Sequence, residues 1–197
     1  GNDGADWIDL RGFDTSGVSL TINAVGAGGA AADGNNVIYS GDGNDTITTG
    51  AGNDYIEVGG GLDNVSTGDG DDIIAVRSLD NVDGSVYNGG NGTDTLKVYG
   101  TNDLTNTTLT SIETLELLPG SPSKVTLTIT QALNLGTVKG TAGNSELEII
   151  ADPVQVTVTN GKTLAADANG NDTLAFTFNG TAYTATITSN TDVSTVT

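Results

Sequence analysis

A nine-residue unit recurs five times without a gap between residues 31 and 75, and few folds accommodate such a repeat. The units are Ala31-Ala-Asp-Gly-Asn-Asn-Val-Ile-Tyr39, Ser40-Gly-Asp-Gly-Asn-Asp-Thr-Ile-Thr48, Thr49-Gly-Ala-Gly-Asn-Asp-Tyr-Ile-Glu57, Val58-Gly-Gly-Gly-Leu-Asp-Asn-Val-Ser66 and Thr67-Gly-Asp-Gly-Asp-Asp-Ile-Ile-Ala75. They share the pattern x-G-x-G-x-D-x-U-x, with U aliphatic. Glycines in the second and fourth places let the first six residues turn tightly where a side chain would obstruct. In the last three places one aliphatic residue stands between two outward neighbours, which predicts a short strand. Ile38, Ile47, Ile56, Val65 and Ile74 are therefore expected to point inward.

A turn followed by a three-residue strand advances regularly only if two units make one coil of a flattened parallel solenoid. The coil is then eighteen residues, and turns one coil apart stack at strand spacing, about 4.7–4.9 Å. Sixth-position side chains fall into columns: Asn36 over Asp54 over Asp72 on one edge, Asp45 over Asp63 on the other. The array from 31 to 75 contains no Lys or Arg to neutralise them. Carboxylates together with the backbone carbonyls of the turn glycines Gly41, Gly43, Gly50, Gly52, Gly59, Gly61, Gly68 and Gly70 form a set of hard oxygen ligands without His or Cys. Such a set suits calcium, at about 2.3–2.6 Å, and several ions are expected.

The unit resembles the glycine- and aspartate-rich nonapeptide of RTX (repeats-in-toxin) proteins, a motif whose calcium dependence is part of its description. The resemblance implies a calcium between each pair of stacked turns, pairing Asp45 with Asp63 and Asp54 with Asp72. It also implies export from bacteria by type I secretion on an uncleaved C-terminal signal. Two positions depart from the pattern: Asn36 offers a neutral oxygen in place of a carboxylate, and Leu62 is apolar in a turn.

A net charge of −19 over 197 residues excludes the clustered bases that nucleic acid or anionic lipid would require. The acids recur at intervals rather than in runs, which indicates a metal-requiring fold more than a solvated chain. Cys, Met and His are all absent, removing disulfides, thiolate zinc and imidazole catalysis. No stretch reaches the eighteen apolar residues of a membrane span, and Gly1 begins mid-repeat, as expected of a fragment or processed piece.

Residues 1 to 9 fit the unit at its fourth, sixth and eighth places, adding Asp6 to the candidate ligands. Leu10 to Ala30 reads as an enlarged coil, with Val18 to Ile22 alternating as a strand; Trp7 is expected to pack against the neighbouring loop rather than to stand out as a surface adhesive residue. After residue 75 thirteen residues stand where nine would fit, and the next unit, Gly89 to Lys97, brings Gly90, Gly92 and Asp94. Asp94 follows Asp72 by twenty-two residues, one coil plus four, so an insertion in the opposite turn preserves the stack and makes Asp94 the end of its column. Asp80 and Asp83 in that insertion are further oxygens near Asp63.

From Lys97 the density of Asp and Gly falls and that of Thr, Val, Ile and Leu rises. The expected organisation is an all-β chain: a parallel β-roll over 1–97, then a β-rich solenoid or sandwich-like region over 98–197. Leu109 to Leu118, Lys124 to Thr130, Glu146 to Ala151, Val154 to Thr159, Leu174 to Phe178 and Tyr183 to Thr188 alternate as strands, with no competing helix of ordinary length. Asn179-Gly180 marks a hairpin, and Asp167 to Asp172 is an Asx-rich turn with oxygens suited to a further calcium. Ile112-Glu-Thr-Leu115 resembles a segment that follows RTX units in bacterial S-layer and large surface proteins.

The acids are explained by their places in a repeat, whereas a catalytic pair of carboxylates would be a singular feature in a cleft. Intrinsic catalysis is not expected. A calcium-binding structural segment of an S-layer or adhesin, associating with copies of itself or neighbouring surface components, is the leading expectation. The alternative is the secretion and folding module of an RTX enzyme or toxin, and a flat carbohydrate- or ice-binding face ranks third.

Overall fold

One aliphatic residue between two polar neighbours suffices for only a three-residue strand, and the chain forms such strands in succession. The computed structural model describes residues 4–11, 18–26, 33–77, 84–118, 123–140, 145–150, 164–166, 172–178 and 181–187. The first nine strands are β1 (Trp7–Asp9), β2 (Thr21–Asn23), β3 (Val37–Tyr39), β4 (Thr46–Thr48), β5 (Tyr55–Glu57), β6 (Asn64–Ser66), β7 (Ile73–Val76), β8 (Val86–Asn88) and β9 (Thr95–Tyr99). Odd-numbered strands build one parallel sheet and even-numbered strands a second, so each coil contributes one strand to each face.

The register is the predicted one. Val37 pairs with Tyr55 and Tyr55 with Ile73, while Thr46 pairs with Asn64, each a step of eighteen residues. Across the insertion Ile73 pairs with Thr95 and Asn64 with Val86, so the extra four residues are absorbed without a slip. The first coil is wider: Trp7 pairs with Val37, and Thr21 with Thr46. Eighth-position side chains form the core: Ile38, Ile47, Ile56, Val65, Ile74, Tyr87 and Leu96 are all at most 1% exposed.

The coils continue past the composition change at residue 97, which falls inside β9. They then broaden through β10 (Thr101–Asp103), β11 (Thr108–Thr110), β12 (Thr114–Leu118), β13 (Ser123–Thr128), helix α1 (Ile129–Asn134), β14 (Thr137–Gly140) and β15 (Ser145–Ile150). β12 and β14 extend the first sheet and β11 the second, while β10, β13 and β15 make a third, also parallel. Strands β16 (Leu164–Ala166), β17 (Asp172–Phe178) and β18 (Thr181–Ile187) form an antiparallel sheet. β17 and β18 pair from Asp172 with Ile187 to Phe178 with Thr181. Residues 1–3, 80, 83, 154–159, 167–171, 179 and 180, on which some expectations fell, lie outside the described residues.

Four local expectations are corrected. Leu109 to Leu118 is two strands on two sheets, because Ser111 adopts a left-handed φ of 50° and turns the corner between them. Val18 to Ile22 shrinks to β2, only one of whose side chains is buried. The expected strand to Thr130 stops at Thr128, which caps α1. Gln131 N–H donates to Thr128 Oγ1 at 3.2 Å and Thr128 N–H to Gln131 Oε1 at 2.8 Å, a capping box readable in Thr128-Ile-Thr-Gln131. Trp7 is 69% exposed on the outer face, its ring 6.0 Å from that of Tyr39.

Candidate metal centre

The sixth-position residues stand immediately before each strand, and stacking the strands stacks them. Asp6, Asn36, Asp54, Asp72 and Asp94 form one column at the edge leading into the first sheet. Asp45 and Asp63 form the other, at the edge leading into the second sheet. In both columns one carboxylate oxygen has a fixed task, accepting the backbone N–H of the sixth-position residue one coil earlier. Asn36 N–H reaches Asp54 Oδ1 at 2.7 Å, Asp54 N–H reaches Asp72 Oδ1 at 2.7 Å, and Asp72 N–H reaches Asp94 Oδ1 at 2.9 Å. Asp45 N–H reaches Asp63 Oδ1 at 2.9 Å.

The other oxygen decides what the columns are for. Asp45, Asp54, Asp72 and Asp94 are 1–2% exposed, and the Oδ2 of each is buried with no hydrogen-bond partner among the described residues. Leaving a buried carboxylate oxygen unsatisfied is costly, and three in one column with a fourth in the other repeat a cost that a proton or a counterion removes. Burial pushes the Asp45, Asp54 and Asp72 carboxyls up from the ordinary value, against the pull of their backbone N–H bonds and of the hydroxyls of Ser40, Thr49 and Thr67 respectively. Asp94 is pushed to about 6, by burial first and then by the charges of Asp72, Glu113 and Asp71.

Four cations among the described residues are engaged elsewhere. Arg11 pairs with Asp9 at 2.7 Å and its guanidinium lies 3.6 Å from the Tyr39 ring centroid, while Arg77 pairs with Glu57 at 2.9 Å on the outer face of the first sheet. Lys97 pairs with Glu116, and Lys124 with Glu146 and Glu148. None of these described ion pairs touches a column.

Backbone oxygens complete the donor set. Gly59 and Gly61 lie directly over the carbonyls of Gly41 and Gly43, and a Cβ on either would collide with the oxygen beneath. Gly61 also needs glycine for its φ of 124°, whereas for Gly59 the close approach alone is the reason. On the other edge the carbonyls of Gly50, Gly52, Gly68 and Gly70 lie likewise beneath Gly68, Gly70, Gly90 and Gly92. Among the described residues no three acidic, His or Cys side chains converge, so a cation here takes most of its ligands from these carbonyls. Buried carboxylate oxygens and turn carbonyls, all hard and none nitrogen or sulfur, are a donor set for calcium.

A family model for the RTX calcium-binding nonapeptide repeat, in four copies, matches residues 31–65 and 52–77. The array is an RTX calcium-binding repeat. No curated protein and no solved structure matches the chain. The RTX array is thus a calcium-binding β-roll module, and the match ends within the insertion, short of β8 and of everything beyond it.

The geometry adds what the repeat pattern alone did not reveal. Asn36 sits in the column, but its single side-chain oxygen accepts Asp6 N–H at 2.9 Å, and its amide nitrogen, a donor, is the buried atom without a partner. In the second column Ser85 follows Asp63 and accepts its N–H at 3.0 Å, so the insertion substitutes a hydroxyl for a carboxylate. Fifth-position residues form a separate ladder running the opposite way. Asn53 N–H donates to Asn35 Oδ1 at 2.8 Å, Asp71 N–H to Asn53 Oδ1 at 3.0 Å and Thr93 N–H to Asp71 Oδ1 at 2.8 Å. Asn in the fifth place of the first three units was the available signal.

Proposed function

We propose that this chain is a calcium-folded structural module of an extracellular bacterial surface protein, an S-layer or adhesin segment that associates with copies of itself or with neighbouring surface components. The observation that carries the reading is the stack of buried Oδ2 atoms without partners in a roll whose arginines and lysines are spent elsewhere. Calcium sites are placed between Asp45 and Asp63, Asp54 and Asp72, and Asp72 and Asp94, each completed by turn carbonyls. A bound ion neutralises two facing carboxylates and ties one coil to the next. Asn36 offers one neutral oxygen, which also accepts Asp6 N–H, so a site shared with Asp54 is read as a weaker one.

The chain itself is read as non-catalytic, since each column acid has a place in the stack and a bond to the neighbouring coil. RTX repeats occur in secreted bacterial proteins, and export by type I secretion belongs to the same reading. No described helix is long and apolar enough to cross a membrane. Charge supports self-association, since bound calcium lowers the −19 that holds copies apart. Light scattering at millimolar calcium and in chelator is the test, with assembly expected only in calcium. If the intact parent is monomeric in both, the surface-lattice reading fails and the chain is instead the folding module of a type I-secreted RTX enzyme or toxin.

A further inference from the structure

The first-edge column does not end at Asp94. Asp94 N–H donates to Glu113 Oε2 at 2.8 Å, the same bond that Asp72 N–H makes to Asp94 Oδ1 one coil earlier. Glu113 therefore holds the sixth-position place in a coil that has no nonapeptide turn. The six residues 89–94 that lead into β9 are replaced by three, 111–113, leading into β12. The longer glutamate side chain spans the difference. The corner is made by Ser111, at φ 50° the one non-glycine in the left-handed region among the described residues, and is anchored by the buried Ile112.

Two further observations show oxygens gathering here. Asp94 is 1% exposed, and its Oδ2 has no hydrogen-bond partner among the described residues. The point at which a Cβ of Gly89 would stand is in contact with both that Oδ2 and the Ser111 carbonyl oxygen, so the two converge over a bare glycine. A strained residue that aims a carbonyl beside an unsatisfied buried carboxylate is the kind of outlier that marks a site.

We propose that Asp94 Oδ2, the Glu113 carboxylate and the Ser111 carbonyl bind one further calcium, outside the repeat, where the coils begin to widen. The site rests on the calcium reading of the array, uses a glutamate that the nonapeptide pattern does not contain, and lies beyond the matched residues 31–77. It fastens the narrow, ion-dependent coils to the broad ones.

The test is calcium stoichiometry of the full chain by equilibrium dialysis, at a concentration that just saturates the unaltered protein. Glu113→Gln keeps an oxygen for Asp94 N–H and removes the charge, and it is expected to bind one ion fewer. An unchanged number overturns the site while leaving the array's calcium in place. If the unaltered chain binds no calcium, the array reading falls and this site with it. Should Glu113→Gln fail to fold, a crystal of the unaltered chain grown with calcium decides by anomalous scattering. A peak within about 2.6 Å of Asp94 Oδ2 and a Glu113 oxygen supports the site. Peaks confined to the seams up to the one between Asp72 and Asp94, with none at Glu113, overturn it.

Discussion

Between β3 and β8 each coil is narrow, and most of its strands bury a single core side chain, such as Ile47 in β4 or Val65 in β6. From β12 onward the coils are broad: β12 buries Leu115 and Leu117, and the strand and helix that follow bury Val125, Leu127 and Ile129. Charges differ in the same sense. In the narrow coils carboxylates are stacked inside the edges with no base beside them, whereas in the broad coils Lys97 and Lys124 cross-link glutamates on neighbouring strands. One backbone plan, the parallel coil, is thus held together in two ways. Where apolar area per coil is small the fold is expected to depend on ions, and where a second apolar row and a third sheet exist it is expected to stand without them.

The largest effect separates the halves by calcium. In chelator, backbone amides of β3 to β8 are expected to lose protection from hydrogen exchange, because metal binding supplies their folding free energy. Amides of β12 and β13 are expected to keep a measurable part of theirs. Equal loss in both regions would show that the broad coils have no independent stability and that the comparison is false.

The next effect concerns where a cavity is felt. Ile56 and Leu115 are each fully buried, and truncation of either to alanine costs about 2–5 kcal/mol. Since folding and ion binding are coupled in the narrow coils, Ile56→Ala should raise the calcium concentration needed for folding. Leu115→Ala should lower the thermal midpoint of the broad coils at saturating calcium with much less change in that concentration. A calcium titration followed by circular dichroism, with a melt at its end point, distinguishes the two variants. Identical shifts would mean that the coils form one cooperative unit.

How far sequence reveals this architecture depends on what repeats. A period of nine with glycine, aspartate and an aliphatic residue in fixed places conveys coil length, register and the columns through Asp45, Asp54, Asp63, Asp72 and Asp94. The broad coils repeat nothing, so the third sheet was not legible. Leu109 to Leu118 looked like one strand because alternation continues across Ser111, whose backbone conformation leaves no trace in hydropathy. Glu113 was hidden for a related reason: its role depends on a three-residue corner, and only the stacked backbone shows that the corner exists. Asn36 carried a legible warning in its chemistry, but which of its two polar atoms is engaged required the neighbouring Asp6 N–H.

Acidity should act on the narrow coils in opposite directions without and with the metal. In the metal-free roll the carboxyls of Asp45, Asp54, Asp72 and Asp94 are raised, Asp94 to about 6, so the folded state binds protons more readily than the unfolded chain. Their contribution is complete below about 4 and is lost as pH climbs through the folded values, through about 6 for Asp94. A dialysed, calcium-free sample should therefore gain strand signal on acidification from pH 7 to pH 4. With calcium present the sign reverses, because ligands must be ionised and protons compete with the ion. A calcium-free sample that loses strand signal over that interval would contradict the burial of the columns.

The smallest effect tests whether the fifth-position ladder belongs with the ions or with the backbone. Asn53 donates its N–H to Asn35 and accepts that of Asp71 on its side-chain oxygen, but both bonds are exposed. Residue 62 shows that the place tolerates an apolar side chain: Leu62 still donates its N–H to Asn44 Oδ1 at 2.9 Å while offering the next coil no acceptor. Asn53→Leu copies that arrangement one coil-face away. The freed Asp71 N–H turns to water, so the loss sits at the low end of a hydrogen bond's net worth, about 0.5 kcal/mol. The calcium midpoint should shift slightly and the number of bound ions not at all, since position five supplies no column oxygen. A lost ion in a calorimetric titration of Asn53→Leu would move the ligand set outward from the sixth position to the fifth. Dependence on calcium would then rest on exposed turn oxygens, and the contrast between buried columns and self-sufficient broad coils would have to be redrawn.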